Sequence, residues 1–151
     1  MATYRLTIAY DGSGFHGYAA NRDVRTVQGE LEAALARVAG DPVATVVAGR
    51  TDAGVHARAN VVSFEAADGL DPDRLQRSLT SMLGPEIVVR EATVAADGFD
   101  ARFSADHRRY RYRIDRSRVP DPLLRHSAWH VPHRLDPDAM NRAAAAFVGE
   151  H

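Results

Sequence analysis

The order of hydrophobic patterns along residues 4–94 constrains the fold more than any other feature of this chain. Residues 4–10 alternate apolar and polar side chains, which predicts a half-buried strand. Two later segments repeat apolar residues at helical spacing, and strand-like runs cover 43–48, 60–65 and 87–94. The sequence therefore predicts the order strand, helix, strand, strand, helix, strand.

The two predicted helices carry recognisable end signals. Thr26 can cap the first helix, and Gly40 follows its last turn as a residue suited to a left-handed C-terminal cap. Asp71 followed by Pro72 opens the second helix, which should end at Gly84–Pro85. The apolar positions that repeat at helical spacing are Val27, Leu31, Leu35 and Val38 in the first helix, and the second helix carries Leu75, Leu79, Met82 and Leu83.

This order of elements predicts an α+β fold of the ferredoxin-like (RNP-like) type, an α/β sandwich with an antiparallel sheet. Two helices would cover one face of the sheet and leave the other face free to be covered or used. Residues 1–97 are predicted to form this first half. The loop between the second and third strands belongs to it.

Residues 98–151 predict the start of a second, similar half. The alternating stretch Arg109–Ile114 predicts a strand with arginines on one side and aromatic residues, including Tyr112, in its core. The pair Asp136 and Pro137 opens a last helix toward Gly149. Because one strand and one helix cannot complete a second sheet, C-terminal sequence is expected to be missing.

Composition narrows the class of protein. Of the 151 residues, 45% are hydrophobic, which is enough to bury a core. The chain has no cysteine, which excludes disulfides and thiolate metal sites and fits a reducing cytoplasm. The sequence predicts neither a signal peptide nor a membrane span, because it has no run of about 18 apolar residues.

Charge is distributed unevenly along the chain. The net charge is −1, and all 19 basic residues are arginine. The segment 102–125 carries a net charge of +5 and the rest of the chain −6. A basic segment on an acidic chain indicates a phosphate-binding surface, and a solvated strand face is the alternative interpretation. The arginines of this segment are Arg102, Arg108, Arg109, Arg111, Arg113, Arg116, Arg118 and Arg125.

The densest group of chemically active residues lies in 48–57, between two predicted strands. Gly49 and Gly54 let the backbone turn tightly around a carboxylate. Arg50 stands two residues before Asp52 and could form an ion pair that keeps the carboxylate charged, as a carboxylate nucleophile requires. The residues alone leave open a polar hairpin loop with an Asx-turn.

The string Gly-Arg-Thr-Asp-Ala-Gly-Val-His at 49–56 is similar to the active-site signature of the TruA family of pseudouridine synthases. The resemblance extends over the whole chain. The other segments that match the family in order are 9–12, 15–17, 25–32, 101–105 and 108–112.

The resemblance implies roles for particular residues. Asp52 would be the catalytic aspartate, and Tyr110 the tyrosine that stacks on the target base. Arg50 and Arg102 would belong to the active-site and RNA-binding surface. An aromatic ring can hold a flipped-out base by stacking, which is worth roughly 1–3 kcal/mol per base.

The activity that the resemblance implies is isomerisation of uridine to pseudouridine at positions 38 to 40 of the tRNA anticodon stem-loop. The family consists of homodimers, and the catalytic loop would lie in the cleft between two ferredoxin-like halves. No cofactor is expected. His130 and His133 are separated by Val131–Pro132, with no nearby cluster of carboxylates or cysteines, so no metal site is predicted.

The chain departs from the family pattern in places that bear on substrate contacts. Gly17-Tyr18-Ala19 replaces the usual Gly-Trp-Gln, and Ala59-Asn60-Val61 replaces the usual Gly-Gln-Val. Two other functions stay open: a non-catalytic RNA-binding module, and an aspartate hydrolase, for which a second aspartate loop is missing. Without a second half, the chain is expected to be a poor enzyme.

Overall fold

The computed structural model describes residues 1–150. The chain divides into two compact units, and the boundary in the sequence falls between Arg109 and Tyr110. The first unit contains four strands and two helices in the predicted order. They are β1 (Ala2–Tyr10), α1 (Val27–Ala39), β2 (Thr45–Val47), β3 (Ala57–Ala66), α2 (Pro72–Leu83) and β4 (Ile87–Val94).

The four strands form one antiparallel sheet in the order β2-β3-β1-β4. In the register of the two central strands, Tyr4 lies opposite Phe64 and Leu6 opposite Val62. This is the strand order of a ferredoxin-like fold, because each helix connects two strands that lie on either side of a third. The predicted fold class is confirmed.

The core lies on the helix-covered face of the sheet. Tyr4, Leu6 and Ile8 alternate along β1 and are fully buried, as their period of two predicts. The Tyr4 and Phe64 rings stack with centroids 5.4 Å apart. The helix residues buried in the same core are Val27, Leu31, Ala34, Leu35, Leu75 and Leu79.

The helix ends follow the sequence signals. The Thr26 side chain accepts a hydrogen bond from the Gly29 amide, and Gly40 caps α1 in the left-handed region with φ of 85°. The Asp71 side chain accepts a hydrogen bond from the Asp73 amide at the start of α2. Of the apolar residues of α2, Leu75 and Leu79 are buried, whereas Met82 is 41% exposed.

The first unit extends beyond residue 97 because the following segment returns across the sheet. The Ala95 amide donates to the Thr3 carbonyl. The buried Ser63 hydroxyl, on the sheet face away from the helices, accepts a hydrogen bond from the Ala101 amide at 3.0 Å. The Arg108 guanidinium then reaches the Ala48 carbonyl at 2.7 Å.

The second unit has little regular structure. It contains β5 (Ile114–Asp115), which pairs in parallel with β6 (Trp129–His130), and α3 (Pro137–Ala144), capped by the Asp136 side chain. The strand predicted over 109–114 is wrong except at its last residue, because residues 110–112 have no partner strand in the described part of the chain and Arg113 contributes only its carbonyl, to the Trp129 amide. The prediction that Tyr112 lies in a strand core fails with it, since this ring is 90% exposed.

Within residues 1–150, no helix combines the length and the apolar character that a bilayer crossing requires.

Candidate active site

The loop that carries Asp52 connects the short edge strand β2 to β3. Its tip is a tight turn in which the Val55 amide donates to the Asp52 carbonyl at 3.2 Å. Gly54 completes the turn with φ of 79°, a conformation that favours glycine. The side chains of Arg50 and Asp52 are both exposed, so a bound substrate can reach them.

The ion pair predicted between Arg50 and Asp52 is not formed. Among residues 1–150, the salt bridges within 4.0 Å do not include either side chain. The carboxylate of Asp52 therefore projects from the loop, and the backbone and neighbouring side chains must fix its position.

Backbone hydrogen bonds join the loop at residues 11–18 to the Asp52 loop. The Tyr18 amide donates to the Thr51 carbonyl at 2.9 Å, and the Gly54 amide donates to the Phe15 carbonyl at 3.4 Å. The Nδ1 atom of His56 lies 3.1 Å from the Gly12 amide nitrogen. Two motif segments that are about 40 residues apart in the sequence thus form one substructure.

His56 also lies close to a carboxylate. Its Nδ1 atom is 3.0 Å from a carboxylate oxygen of Asp11, which also accepts hydrogen bonds from the Ser13 amide and hydroxyl. When Nδ1 is unprotonated it accepts the Gly12 N–H, and when it is protonated it pairs with Asp11. His56 ties the Asp52 loop to residues 11–13 in both arrangements.

Glycine is required where these two loops approach each other. A Cβ atom at Gly12 would overlap the carbonyl group of Val55. Gly17 has φ of 93°, and a Cβ atom there would lie 3.1 Å from the Thr51 carbonyl oxygen. The glycines of the first motif therefore permit backbone contact with the Asp52 loop.

Arg25 contacts the loop at residues 11–18 through the Phe15 ring and is itself held by an ion pair with Glu86. Arg25 donates to both carboxylate oxygens of Glu86, at 3.0 and 2.8 Å, and its Nε atom donates to Glu30 at 3.2 Å. The same guanidinium lies 4.4 Å from the centre of the Phe15 ring. Hydrogen bonding to Arg25 lowers the pKa of the Glu86 carboxyl, and hydrogen bonding to Glu86 raises the pKa of Arg25. No local pattern predicted this pair, since 61 residues separate the partners.

This ion pair predicts a pH-dependent contribution to stability. The pKa of Glu86 is lower in the folded protein than in the unfolded chain, so the contribution is present above the unfolded value of about 4.3. It is lost as the pH falls through the folded value. We expect Glu86→Gln to lower the unfolding temperature slightly at pH 7, and we expect this difference from the unchanged protein to shrink as the pH falls below about 4.3. Glu65→Gln is the control in thermal melts across this range, and an equal effect of both variants at every pH would contradict the prediction.

Polar side chains of β1 and β3 form a hydrogen-bond network with the Asp52 loop. Asn60 of β3 donates to the Gly49 carbonyl at 2.8 Å and to the Tyr10 hydroxyl at 3.3 Å. The Tyr10 hydroxyl lies 2.8 Å from the Thr51 hydroxyl. The sequence reasoning missed this role of Asn60 and Tyr10, although a polar residue within the apolar alternation of β3 was a visible signal.

Tyr18 is buried under the same loop at the position where the family pattern has tryptophan. Its ring lies 6.2 Å from the Tyr10 ring, and burial raises the pKa of its hydroxyl. The nearby Thr45 side chain offsets only part of this effect of burial on the pKa. Tyr18 therefore fills the space as a large aromatic side chain, at the cost of a desolvated hydroxyl.

The other two predicted site residues, Arg102 and Tyr110, are both exposed. Arg102 is exposed, on the turn that Ala101 anchors to the sheet, and its guanidinium lies 5.5 Å from the centre of the Phe103 ring. Tyr110 is the first residue of the second unit, and its ring is 62% exposed.

Of the two histidines considered for a metal site, His130 makes a local contact. The Nε2 atom of His130 lies 2.8 Å from the Ser117 carbonyl oxygen. The part of the chain that the structure describes contains no group of three or more histidine, cysteine, aspartate or glutamate side chains that could hold a metal ion.

Comparison with known proteins identifies the class to which this fold and loop belong. Residues 6–104 match the family profile described as tRNA pseudouridine synthase. The matched range contains β1 from Leu6 onward, the other three strands of the sheet, both helices that cover it, the Asp52 loop and the turn of Arg102. The chain therefore belongs to the tRNA pseudouridine synthase family.

Curated relatives within this family bear the particular name tRNA pseudouridine synthase A. The protein of Acetivibrio thermocellus is 40% identical over 151 residues, which cover 100% of this chain and 62% of the relative. That of Leifsonia xyli is 46% identical over 169 residues, covering 98% of this chain and 59% of the relative. That of Cutibacterium acnes is 45% identical over 152 residues, covering 99% and 54%. The chain thus spans less than two thirds of the length of these relatives.

Proposed function

We propose that this protein isomerises uridine to pseudouridine at positions 38 to 40 of the tRNA anticodon stem-loop, with Asp52 as the catalytic carboxylate. The observation that carries the proposal is the exposed Asp52 on a loop held by two motif segments of the family. The relatives named tRNA pseudouridine synthase A support tRNA as the substrate.

The chemistry suits an aspartate. The bond between the sugar C1′ and the uracil N1 breaks, the base turns, and a bond forms between C1′ and C5. The hydrogen at C5 leaves as a proton while N1 gains one, so the reaction has no net oxidation or reduction. A carboxylate beside the sugar can stabilise an oxocarbenium-like transition state or form a covalent intermediate, as in glycosidases. The proposal therefore names no metal or organic cofactor.

The arginines supply a surface for the RNA backbone. Arg50 and Arg102 are exposed on the unit that carries Asp52, and neither forms a salt bridge within residues 1–150. Their planar donors suit phosphate oxygens, and phosphate contacts position a nucleic acid without reading its sequence. The segment 102–125, which begins with Arg102, carries seven further arginines.

We infer a role for Tyr110 in stacking on the flipped base. Tyr110→Leu is expected to weaken tRNA binding and to slow the reaction, because base stacking is worth roughly 1–3 kcal/mol. Tyr110→Phe should keep the stacking, and a slower reaction would assign its hydroxyl to proton transfer at C5. Tyr112→Leu, at a more exposed ring in the same segment, is the matched control. Full activity of both Tyr110 variants would exclude this role.

We propose that the protein is cytoplasmic and that it forms a homodimer. Support comes from the family resemblance and from the absence of cysteine, which fits a reducing compartment. Light scattering of the purified protein measures the number of chains per particle. A strictly monomeric particle that is fully active would contradict the dimer.

Release of hydrogen from C5 tests the function. The protein is incubated with tRNA transcripts that carry tritium at C5 of uridine, and tritium in the solvent is counted. Substitution of positions 38 to 40 by cytidine should abolish the release. Binding of tRNA without any release would favour a non-catalytic RNA-binding module. Hydrolysis of a peptide substrate instead would favour an aspartate hydrolase.

A further inference from the structure

Asn60 occupies a position where the fold calls for an apolar side chain. It lies opposite Ile8 in the register of β1 and β3, on the helix-covered face that also carries Val62 and Phe64. An amide on such a face costs free energy unless its donors are hydrogen-bonded. One acceptor of its Nδ2 group is the Gly49 carbonyl of the Asp52 loop. The other is the Tyr10 hydroxyl, which is hydrogen-bonded to Thr51 of the same loop.

The hydrogen bonds form a continuous chain from Asn60 to the Asp52 loop. The Asn60 amide donates to the Gly49 carbonyl and to the Tyr10 oxygen. The Tyr10 hydroxyl is also hydrogen-bonded to the Thr51 hydroxyl at 2.8 Å, and either group can be the donor. Gly49 and Thr51 flank Arg50, and Thr51 directly precedes Asp52.

The position of Thr51 is also fixed through its backbone. Its carbonyl accepts the Tyr18 amide at 2.9 Å, so the residue is held by one bond from the 11–18 loop and one from the sheet. The Tyr10 ring is buried and cannot move to follow a displaced loop. The carboxylate of Asp52 itself lacks such a tether within residues 1–150.

We propose that Asn60 and Tyr10 are positioning residues that set the orientation of the Asp52 carboxylate for catalysis. This inference rests on the proposed function. The carboxylate must be placed against the reacting sugar, and a displacement of about 1 Å in a catalytic group can cost roughly 10²-fold in rate. The pair acts through Thr51 and Gly49 and does not touch the substrate.

Two substitutions with a matched control test the proposal in the full 151-residue chain. Tyr10→Phe removes only the hydroxyl, and Asn60→Asp keeps the shape but removes the donors. The control is Tyr4→Phe, which removes the hydroxyl of another buried tyrosine of β1, one bonded to the Ala67 carbonyl and the Leu70 amide. Tyr4→Phe should lower stability without changing kcat.

We expect Tyr10→Phe and Asn60→Asp to lower kcat roughly 10- to 100-fold, with the KM for tRNA changed less than about threefold. A purely structural role would lower the unfolding temperature and leave kcat unchanged in the folded fraction. Unchanged kcat in folded Tyr10→Phe would overturn the proposal.

Amide hydrogen exchange gives a readout that does not depend on turnover. The Tyr18 and Val55 amides donate to the carbonyls of Thr51 and Asp52, so both should exchange faster in Tyr10→Phe and keep their rates in Tyr4→Phe. If the unchanged protein releases no hydrogen from C5, the proposed function fails, and faster exchange still shows that Tyr10 holds the loop. Equal exchange in all three proteins would overturn the positioning role whatever the activity.

Discussion

Asp52→Asn is expected to abolish pseudouridine formation, with a loss of about 10³-fold or more in the release of hydrogen from C5. The amide keeps the size of the side chain and loses the charge, so it can neither stabilise a developing positive charge at C1′ nor act as a nucleophile or base. Since Asp52 is exposed and its side chain makes no hydrogen bond within residues 1–150, the fold should not depend on it. Binding of tRNA and the unfolding temperature should therefore stay close to those of the unchanged protein.

The matched control is Asp97→Asn, which makes the same change at an exposed turn after β4. This variant should retain full activity, and its tRNA affinity corrects for the loss of one negative charge on the surface. Turnover of Asp52→Asn near that of the control would remove Asp52 from the catalytic role. A parallel loss of tRNA binding would place the side chain in substrate binding instead.

Gly12→Ala should produce the second largest loss, about 10²-fold in activity. The added Cβ atom would overlap the Val55 carbonyl, which is backbone and cannot rotate away. The φ angle of Gly12 lies outside the left-handed region, so steric overlap is the mechanism that operates here. The two loops must separate, and Asp52 moves with the loop to which Val55 belongs. Overpacking of this kind typically costs about 1–3 kcal/mol of stability as well.

Gly14→Ala in the same turn is the control. Its Cβ atom would meet the ends of the Glu86 and Arg25 side chains, which can shift by small rotations. We expect its activity within about threefold of the unchanged protein. Measurement of C5 hydrogen release and thermal unfolding on both variants separates the two effects. Equal activity of Gly12→Ala and Gly14→Ala would show that the contact between the loops does not position Asp52.

The elements of the first unit could be predicted from the sequence because their signals are local. A strand with one buried face shows a period of two, and a helix end shows its cap in the neighbouring residues, as at Thr26, Gly40 and Asp71. The positions of Arg50 and Asp52 in a loop between two strands followed from the same patterns. The similarity to the family signature was also visible in the sequence, because such a signature is a short run of consecutive residues.

The same reasoning failed in the second unit because a strand is not a local structure. Residues 109–113 alternate as a strand would, yet a strand exists only where a neighbour accepts and donates backbone hydrogen bonds. In this unit that neighbour is Trp129–His130, and it pairs with Ile114 and Asp115. The exposure of Tyr112 follows from the same cause.

The environment of Asp52 was decided by the tertiary structure. The sequence placed Arg50 within reach of Asp52, but the two exposed side chains form no salt bridge within residues 1–150. Water offsets most of the attraction between exposed charges. The contacts that hold the loop join residues far apart in the chain, as between Tyr10 and Thr51 or Gly12 and His56. Local patterns determine which residues form helices and strands, whereas long-range packing determines which side chains meet, because only the folded sheet brings distant segments within hydrogen-bonding distance.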